Sequence, residues 1–327
     1  MLPRGTVAFS KSVLDIDCER EIERISAFIR TTIGDLKRRG IVLGLSGGID
    51  SSVTAALAVR ALGKERVLGL FMPEHHTSDD ALILGKALAE SLGIKALTED
   101  IAPALEGAGC YARQNEAIRT VFPDYGDGWK CKITLPSILD SDRLNVYRLT
   151  VQTPDGRQMT ERMPPAAYLQ IVASTNYKQR VRKMTEYYHA DRLTYAVAGT
   201  PNLLEYDQGF FVKLGDGSAD LKPIAHLYKT QVFALAAALG VPEQIRSRTP
   251  TTDTYSMPQT QEEFYFALPY DRMDLCLYAF NHEVSATDAA PVIGITAEQV
   301  ERVYKDIQSK RRFAVYLHSP PKLMEPA

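Results

Sequence analysis

The chain has 327 residues, 45% of them hydrophobic and 24% charged, enough for about two domains or for one α/β domain carrying an insertion. A formal net charge of −2 excludes a general electrostatic footprint for nucleic acid, so any anionic ligand must be held locally. No apolar run has the length of a signal peptide or a membrane span, and Cys18, Cys110, Cys131 and Cys276 form neither a C-x-x-C pair nor a disulfide framework; a cytoplasmic protein with no membrane partner is expected.

In chain order, residues 20–39 set Ile22, Ile25, Phe28, Ile29, Ile33 and Leu36 at helical spacing, with Gly40 as the stop, which predicts an amphipathic helix. "IVLGL" then reads as a buried strand and "DSSVTAALAVRALG" as the helix after it. "VLGLFM" (67–72) is a second strand, residues 78–93 a helix with Ser78 at its N-cap, and "KALTEDI" a third strand. The pattern resumes with a helix over 173–191, a strand over 193–200 and a helix over 228–240. This alternation predicts an α/β fold, a doubly wound parallel sheet with helices on both faces. Ligands of such sheets bind at the carboxyl ends of strands, where "GLSGGIDSS" and "GTPNLLE" both begin. Between about 106 and 168 the alternation breaks, and "NVYRLTVQTPDGRQMTERM" carries a strand-turn-strand signal at Pro154-Asp155-Gly156. We read the chain as a single domain, 1–327, with a β-containing insertion at 106–168. Tyr187 and Tyr188 are expected in the core, and Trp129, inside the insertion, is assigned no role.

Gly44-Leu45-Ser46-Gly47-Gly48 fits both the G-x-S-x-G nucleophile elbow and a small-residue loop that holds phosphate. An elbow needs several strands before it and an acid and then a histidine after it. Here one helix precedes the motif, and neither His189 nor His226 sits in a triad context. A plain glycine turn does not require two adjacent glycines beside three hydroxyls. The phosphate reading uses every position: Gly47 and Gly48 admit an anion to backbone N–H groups, Ser46, Ser51 and Ser52 add hydroxyls, and the following helix points its positive end at the site. Asp50 would repel that anion by about 4 kcal/mol at ~4 Å and an effective dielectric near 20, so an acid here implies a bridging divalent cation. Lack of G-x-x-x-x-G-K-[ST] excludes a Walker-type site.

"SGGIDSS" resembles the PP-loop of the ATP pyrophosphatases, which cleave ATP between its α and β phosphates and activate a substrate as an adenylate. Residues 198–242, "AGTPNLLEYDQGFFVKLGDGSADLKPIAHLYKTQVFALAAALGVP", resemble the corresponding region of ammonia-dependent NAD synthetases, as do "NYKQRVRKM", "PTTDTY" and "LPYDRMDLCL". The likeness covers most of residues 20–105 and 170–315. It implies an adenine nucleotide alpha hydrolase-like fold and the reaction of deamido-NAD, ATP and ammonia to NAD, AMP and pyrophosphate.

The resemblance also implies roles. Asp50 and Glu205 would hold Mg2+ and, with Lys229, form the catalytic set. Lys229 and Thr251 would contact the triphosphate and Thr200 the nucleotide, completing an ATP site with Ser46, Gly47, Gly48, Asp50, Ser51 and Ser52. Asn176, Arg180, Lys213, Asp216 and Asp220 would hold the dinucleotide. Taken alone, Lys229 would pass for a surface lysine at a helix start, and Arg180 with Arg182 for a solvated helix face. A homodimer is expected, and with only about forty residues before the loop, ammonia is expected free or from a separate glutaminase.

Three features depart from the family pattern. They are the insertion, the segment "QTQEEFYFALPYD" with Phe264, Tyr265 and Phe266, and Ser309 of "SKRRFAVYL" where the family has histidine. The ATP-activating residues stay in pattern, while the acyl-acceptor pocket does not. Two alternatives therefore stand beside NAD synthesis: the same chemistry on a different carboxylate, and a nucleotide-binding regulatory protein without catalysis.

Overall fold

The computed structural model describes residues 9–134, 147–249, 254–260, 265–266 and 268–324. After a 3-10 turn (Lys11–Leu14), helix α1 (Cys18–Asp35) starts at Asp17, whose side chain accepts the Arg20 N–H at 3.1 Å, and buries Ile22, Ile25, Ile29 and Ile33 along one stripe. Phe28 and Leu36, expected on that stripe, are 47% and 44% exposed. Phe28 points about 100° away from it, and Leu36 lies past the last helical residue.

Strand β1 (Ile41–Gly44) leads into α2 (Ile49–Leu62), and β2 (Val67–Phe71) into α3 (Asp79–Leu92) and β3 (Lys95–Thr98). Ser78 occupies the N-cap of α3, but its side chain makes no capping bond there. Helices α4 (Ala102–Gly107) and α5 (Cys110–Arg119) come next, then strands β4 (Lys130–Thr134), β5 (Arg148–Gln152) and β6 (Gln158–Arg162). Helix α6 (Pro165–Leu193) is eight residues longer at its start than its apolar pattern suggests, because Pro165 at the first helical position opens it early. It ends at Leu193 with Thr194 in the left-handed region, and the expected strand is reduced to β7, Ala196–Val197, plus a bridge from Ala198 to Leu221. Then follow α7 (Leu203–Gln208), α8 (Lys229–Ala238), α9 (Glu243–Arg246), α10 (Tyr270–Asn281), α11 (Ala286–Ile293) and α12 (Ala297–His318).

Strands β3-β2-β1-β7 form a parallel sheet, with Ile41 opposite Val67, Leu68 opposite Lys95 and Val42 opposite Val197. The aliphatic strands are buried on both sides. Ile41 and Leu43 pack toward α1, α2 and α8, whereas Val42, Leu68 and Leu70 pack toward α4 and α6. The chain steps outward from β1 to β2 and β3, then returns to pair β7 on the other side of β1. That reversal opens a crevice at the carboxyl ends of β1 and β7.

Strands β4-β5-β6 form a separate antiparallel sheet. The β5–β6 hairpin closes where Thr153 N–H donates to Arg157 O and Gly156 N–H to Thr153 O, both at 2.9 Å, with Gly156 at φ +89°. Ile133, Leu149 and Val151 of this sheet pack with Ile171 of α6 and with Tyr255. Helices α10–α12 enclose a further apolar cluster with Leu204 and Phe266.

Candidate active site

The loop from β1 to α2 is shaped by one glycine. Gly47 has φ +72°, and a Cβ there would lie 2.5 Å from Ala81 O, so the loop packs directly on the first turn of α3. Ser46 Oγ accepts the Gly48 N–H at 3.2 Å and lies 3.2 Å from Ser51 Oγ. Ser51 and Ser52 both donate to Gly48 O, at 3.0 and 2.8 Å. Ser52 is fully buried and does not border the crevice, so its hydroxyl serves the helix start. No histidine is among the described partners of Ser46, which leaves the nucleophile-elbow reading without a base.

Four side chains from three elements converge beside this loop. Lys229 Nζ donates to Asp50 Oδ2, and Asn202 Nδ2 donates to Asp50 Oδ1 at 3.1 Å. Asn202 also caps α7: its Oδ1 accepts the Glu205 N–H, and Glu205 Oε2 accepts the Asn202 N–H, each at 3.2 Å. This capping box fixes Glu205 next to Asp50. Burial, and then the Asp50 charge, push Glu205 up to about 8. Burial works to lower Lys229, but Asp50 and Glu205 outweigh it and hold the ammonium above its ordinary value.

Lys229 opens α8, where a cation opposes the helix dipole. Asp274 of α10 removes the conflict, accepting the Lys229 and Thr230 N–H groups at 3.2 and 2.7 Å. Burial raises Asp274 to about 6 even so.

Two half-buried carboxylates beside one buried lysine are a donor set for a hard cation. Among the described residues no three His, Cys, Asp or Glu side chains come together as a closed metal cage. The oxygens of Asp50 and Glu205 could hold an ion such as Mg2+, which takes few protein oxygens and completes its shell with water and phosphate.

The crevice opens into a cavity of about 840 Å³, bordered by Ser46, Gly47, Gly48, Asp50, Ser51, Thr200 and Glu205. Asn176 and Asp216 border it too; Asp216 Oδ1 accepts the Val212 N–H at 2.7 Å, and burial raises its pKa. Lys229, 0% exposed, stands behind Asp50. Arg180 and Lys213 instead line an adjoining depression of about 280 Å³ that shares Asn176 with the cavity. There Lys213 Nζ donates to Tyr316 O and Ser319 O at 2.8 and 2.9 Å, and Arg180 Nε to Lys213 O at 3.3 Å. Asp220 borders neither space; it accepts the Val197 N–H at 2.7 Å and the Tyr187 hydroxyl at 3.3 Å, closing the end of β7. Thr251 and Phe264 lie outside the described residues. Tyr188, expected in the core, is 63% exposed on the outer side of α6.

Several residues escaped the sequence reading. Asn202 had a readable signal, since Asn-x-x-Glu is a capping box. Asp274 acts on α8 from 45 positions away and had none. Lys178, fully buried on α6, donates to Glu74 Oε1 at 3.0 Å and to Thr254 O at 2.9 Å, and its Nζ lies 2.8 Å from His76 Nδ1. Tyr111 completes this hub by donating to Glu74 Oε2 at 2.9 Å. Lys183 and Glu186, paired at 2.6 Å, border the cavity beside Gly44.

The NAD synthase family model matches residues 21–121 and 144–314. The NH(3)-dependent NAD(+) synthetase of Mesorhizobium japonicum is 63% identical over 312 residues, covering 95% of this chain and 98% of that protein. The enzyme of the same name from Rhizobium meliloti is 56% identical over 323 residues, covering 99% and 97%. Among solved structures, an NMN synthetase from Francisella tularensis superposes with a TM-score of 0.63 at 22% identity, over 95% of this chain and 99% of that one. An NH3-dependent NAD synthetase from Campylobacter jejuni gives 0.60 at 21%, over 95% and 100%. The structural likenesses carry the fold, and the sequence likenesses carry more: with the crevice, the loop and the paired carboxylates in place, this chain belongs to the NAD synthase family.

Proposed function

We infer that the chain catalyses ATP-dependent amidation of deamido-NAD with ammonia. The observation that carries the reading is the convergence of Asp50, Asn202, Glu205 and Lys229 at the switch point, in a chain 63% identical over nearly its whole length to an NH(3)-dependent NAD(+) synthetase. Backbone N–H groups at the start of α2 and the hydroxyls of Ser46 and Ser51 hold phosphate oxygens. A carboxylate oxygen of the substrate attacks the α-phosphorus of ATP, the bond to the β-phosphate breaks, and pyrophosphate leaves. Ammonia then adds to the adenylate's carbonyl carbon, AMP departs with its electron pair, and a proton is lost to give the amide.

Mg2+ held by Asp50 and Glu205 would neutralise charge on the phosphate oxygens. Lys229 donates to Asp50 and adds positive charge behind it, Asn202 holds the other Asp50 oxygen, and the capping box fixes Glu205. This is catalysis by positioning and charge, since each group is placed before the substrates arrive. We further propose a homodimer supplied with free ammonia or with ammonia from a separate subunit, working in the cytoplasm. Among the described residues no helix is long and apolar enough to cross a membrane.

The test is formation of AMP and pyrophosphate from ATP with magnesium and ammonium, comparing deamido-NAD with a panel of other carboxylic acids. NAD formed in step with AMP is the expected result. Turnover with another acid alone would reject deamido-NAD as the substrate.

A further inference from the structure

The hub around Lys178 joins two segments that border the cavity but lie far apart in the chain. The first is the turn after β2. Glu74 N–H donates to Thr77 Oγ1 at 3.0 Å and Thr77 N–H donates back to Glu74 O at 2.9 Å, while Pro73 and Thr77 border the cavity. The second is the stretch that starts at Thr254, which borders the cavity together with Tyr255. Further along, Met257 N–H donates to Cys131 O at 3.0 Å and Cys131 N–H to Ser256 Oγ at 2.9 Å, so β4 holds this stretch as well.

The buried ammonium of Lys178 is the tie between them. It meets Glu74 Oε1 at 3.0 Å, His76 Nδ1 at 2.8 Å and Thr254 O at 2.9 Å. An ammonium has three donors and no acceptor, so His76 Nδ1 accepts and no donor is left for a phosphate. The other Glu74 oxygen accepts from the Tyr111 hydroxyl at 2.9 Å. Whatever Lys178 contributes to a reaction must therefore pass through the segments it holds. The turn is well placed to transmit it: Leu45 N–H donates to Leu70 O at 2.8 Å, and Gly47 packs on Ala81 O. Residues 73–77 span the chain between these two supports of the 46–51 loop, so a shift of the turn reaches the loop from both ends.

We propose that Lys178 is a positioning residue for ATP: acting through Glu74 and Thr254 O, it fixes two walls of the cavity relative to each other. The inference rests on the reading that ATP phosphates occupy the 46–51 loop. The family resemblance assigns no ligand to Lys178, Glu74, His76 or Tyr111. A tie made by a buried cation is stiff, because breaking it strands a charge. Walls fixed in advance lower the ordering cost of binding. Since the hub touches no reacting atom, its loss weakens ground state and transition state alike and falls on KM.

The experiment compares the full chain with Glu74→Gln/Lys178→Met, a neutral pair that leaves neither charge buried alone. Both are titrated calorimetrically with ATP plus magnesium and, separately, with deamido-NAD, well below the melting temperature and alongside steady-state kinetics. ATP is expected to bind the double variant at least about fivefold more weakly, with KM for ATP raised and kcat within about twofold of wild type. Deamido-NAD should bind within about twofold. Glu74→Gln/Lys178→Gln, which returns a hydrogen-bond donor to the position, should recover most of the ATP affinity. A folded double variant that binds ATP within about twofold of wild type overturns the proposal, and so does an equal loss for both ligands. Wild-type protein that binds no ATP removes the reading of the loop and the role of the hub with it. Wild-type protein that binds ATP but never amidates deamido-NAD rejects the amidation reading alone and leaves Lys178 to be judged on the ATP titration. Should the variants misfold, hydrogen exchange on the wild type decides: the Glu74 and Thr77 amides should be protected without ATP and change by less than about twofold when it is added. Protection gained only with ATP would mean that the walls are not fixed in advance, and it overturns the proposal equally.

Discussion

Lys229 and Asp50, 179 positions apart in the chain, meet in an ion pair whose lysine is fully buried and whose carboxylate is half-buried at the edge of the crevice. The lysine is fully enclosed, so its charge is tolerable only because Asp50 and Glu205 face it. Asp50→Asn is expected to cut turnover by at least a hundredfold, about 2.7 kcal/mol of transition-state stabilisation. It should also lower stability, because Lys229 loses its hydrogen-bonded carboxylate, by on the order of 3 kcal/mol. Turnover measured well below the melting temperature, with denaturant unfolding in parallel, separates the two. Wild-type turnover in a folded Asp50→Asn protein would remove Asp50 from the mechanism.

Asn202 gives a sharper test, since it touches both carboxylates while carrying no charge. Asn202→Ala loses a helix cap, about 1 kcal/mol, and one donor to Asp50. Asn202→Asp keeps an acceptor for the cap but sets a third carboxylate in the cluster, with repulsion of about 4 kcal/mol at ~4 Å and an effective dielectric near 20. The aspartate variant should therefore be the slower enzyme at low magnesium and should recover more when magnesium is raised. Equal magnesium response in the two variants would show that net charge in the cluster is not what Asn202 controls.

The parts of this site that were legible in sequence are those made by short-range rules. Aliphatic runs gave the central strands because parallel strands are buried on both faces, and Gly47 was readable because the turn onto α3 has no room for a Cβ. The hairpin at Pro154-Asp155-Gly156 was readable for a similar reason, as Gly156 supplies the positive φ. What escaped depends on direction or distance. Nothing local says that the Ser52 hydroxyl turns to Gly48 O while Ser46 faces the crevice. Asp274 caps a helix that starts 45 positions earlier, and β7 begins only after the left-handed Thr194 that ends α6. Lys178 stood in a quoted motif, yet its burial among Glu74, His76 and Thr254 depends on three separate segments.

That hub yields a stability prediction. Lys178→Met keeps the length of the side chain but leaves Glu74 buried beside His76 without its cation, which costs about 3–5 kcal/mol. Glu74→Gln strands the lysine at comparable cost. The double variant should be less destabilised than the sum of the singles, because neither charge is then left alone. Denaturant midpoints at constant m-value measure the cycle, and strict additivity would mean that the two side chains are not energetically coupled.

His76 makes the same hub sensitive to pH. Burial, and then the neighbouring Lys178 ammonium, push its imidazole down to about 4. The folded protein therefore binds fewer protons than the unfolded chain between about pH 4 and the unperturbed 6.5. His76 imposes no penalty above pH 6.5, and the stability of the folded state falls as pH drops through that window. The loss amounts to on the order of 2–3 kcal/mol at most, because part of the ring meets solvent. Geometry gives the reason: Nδ1 accepts from Lys178 at 2.8 Å, and a proton there would face the ammonium directly. His76→Asn, which retains an acceptor but does not titrate, is expected to flatten unfolding free energy against pH between 4 and 6.5. Carboxylates elsewhere affect both proteins alike, so the difference between the two curves isolates the histidine. Parallel curves across the window would place the acid sensitivity elsewhere.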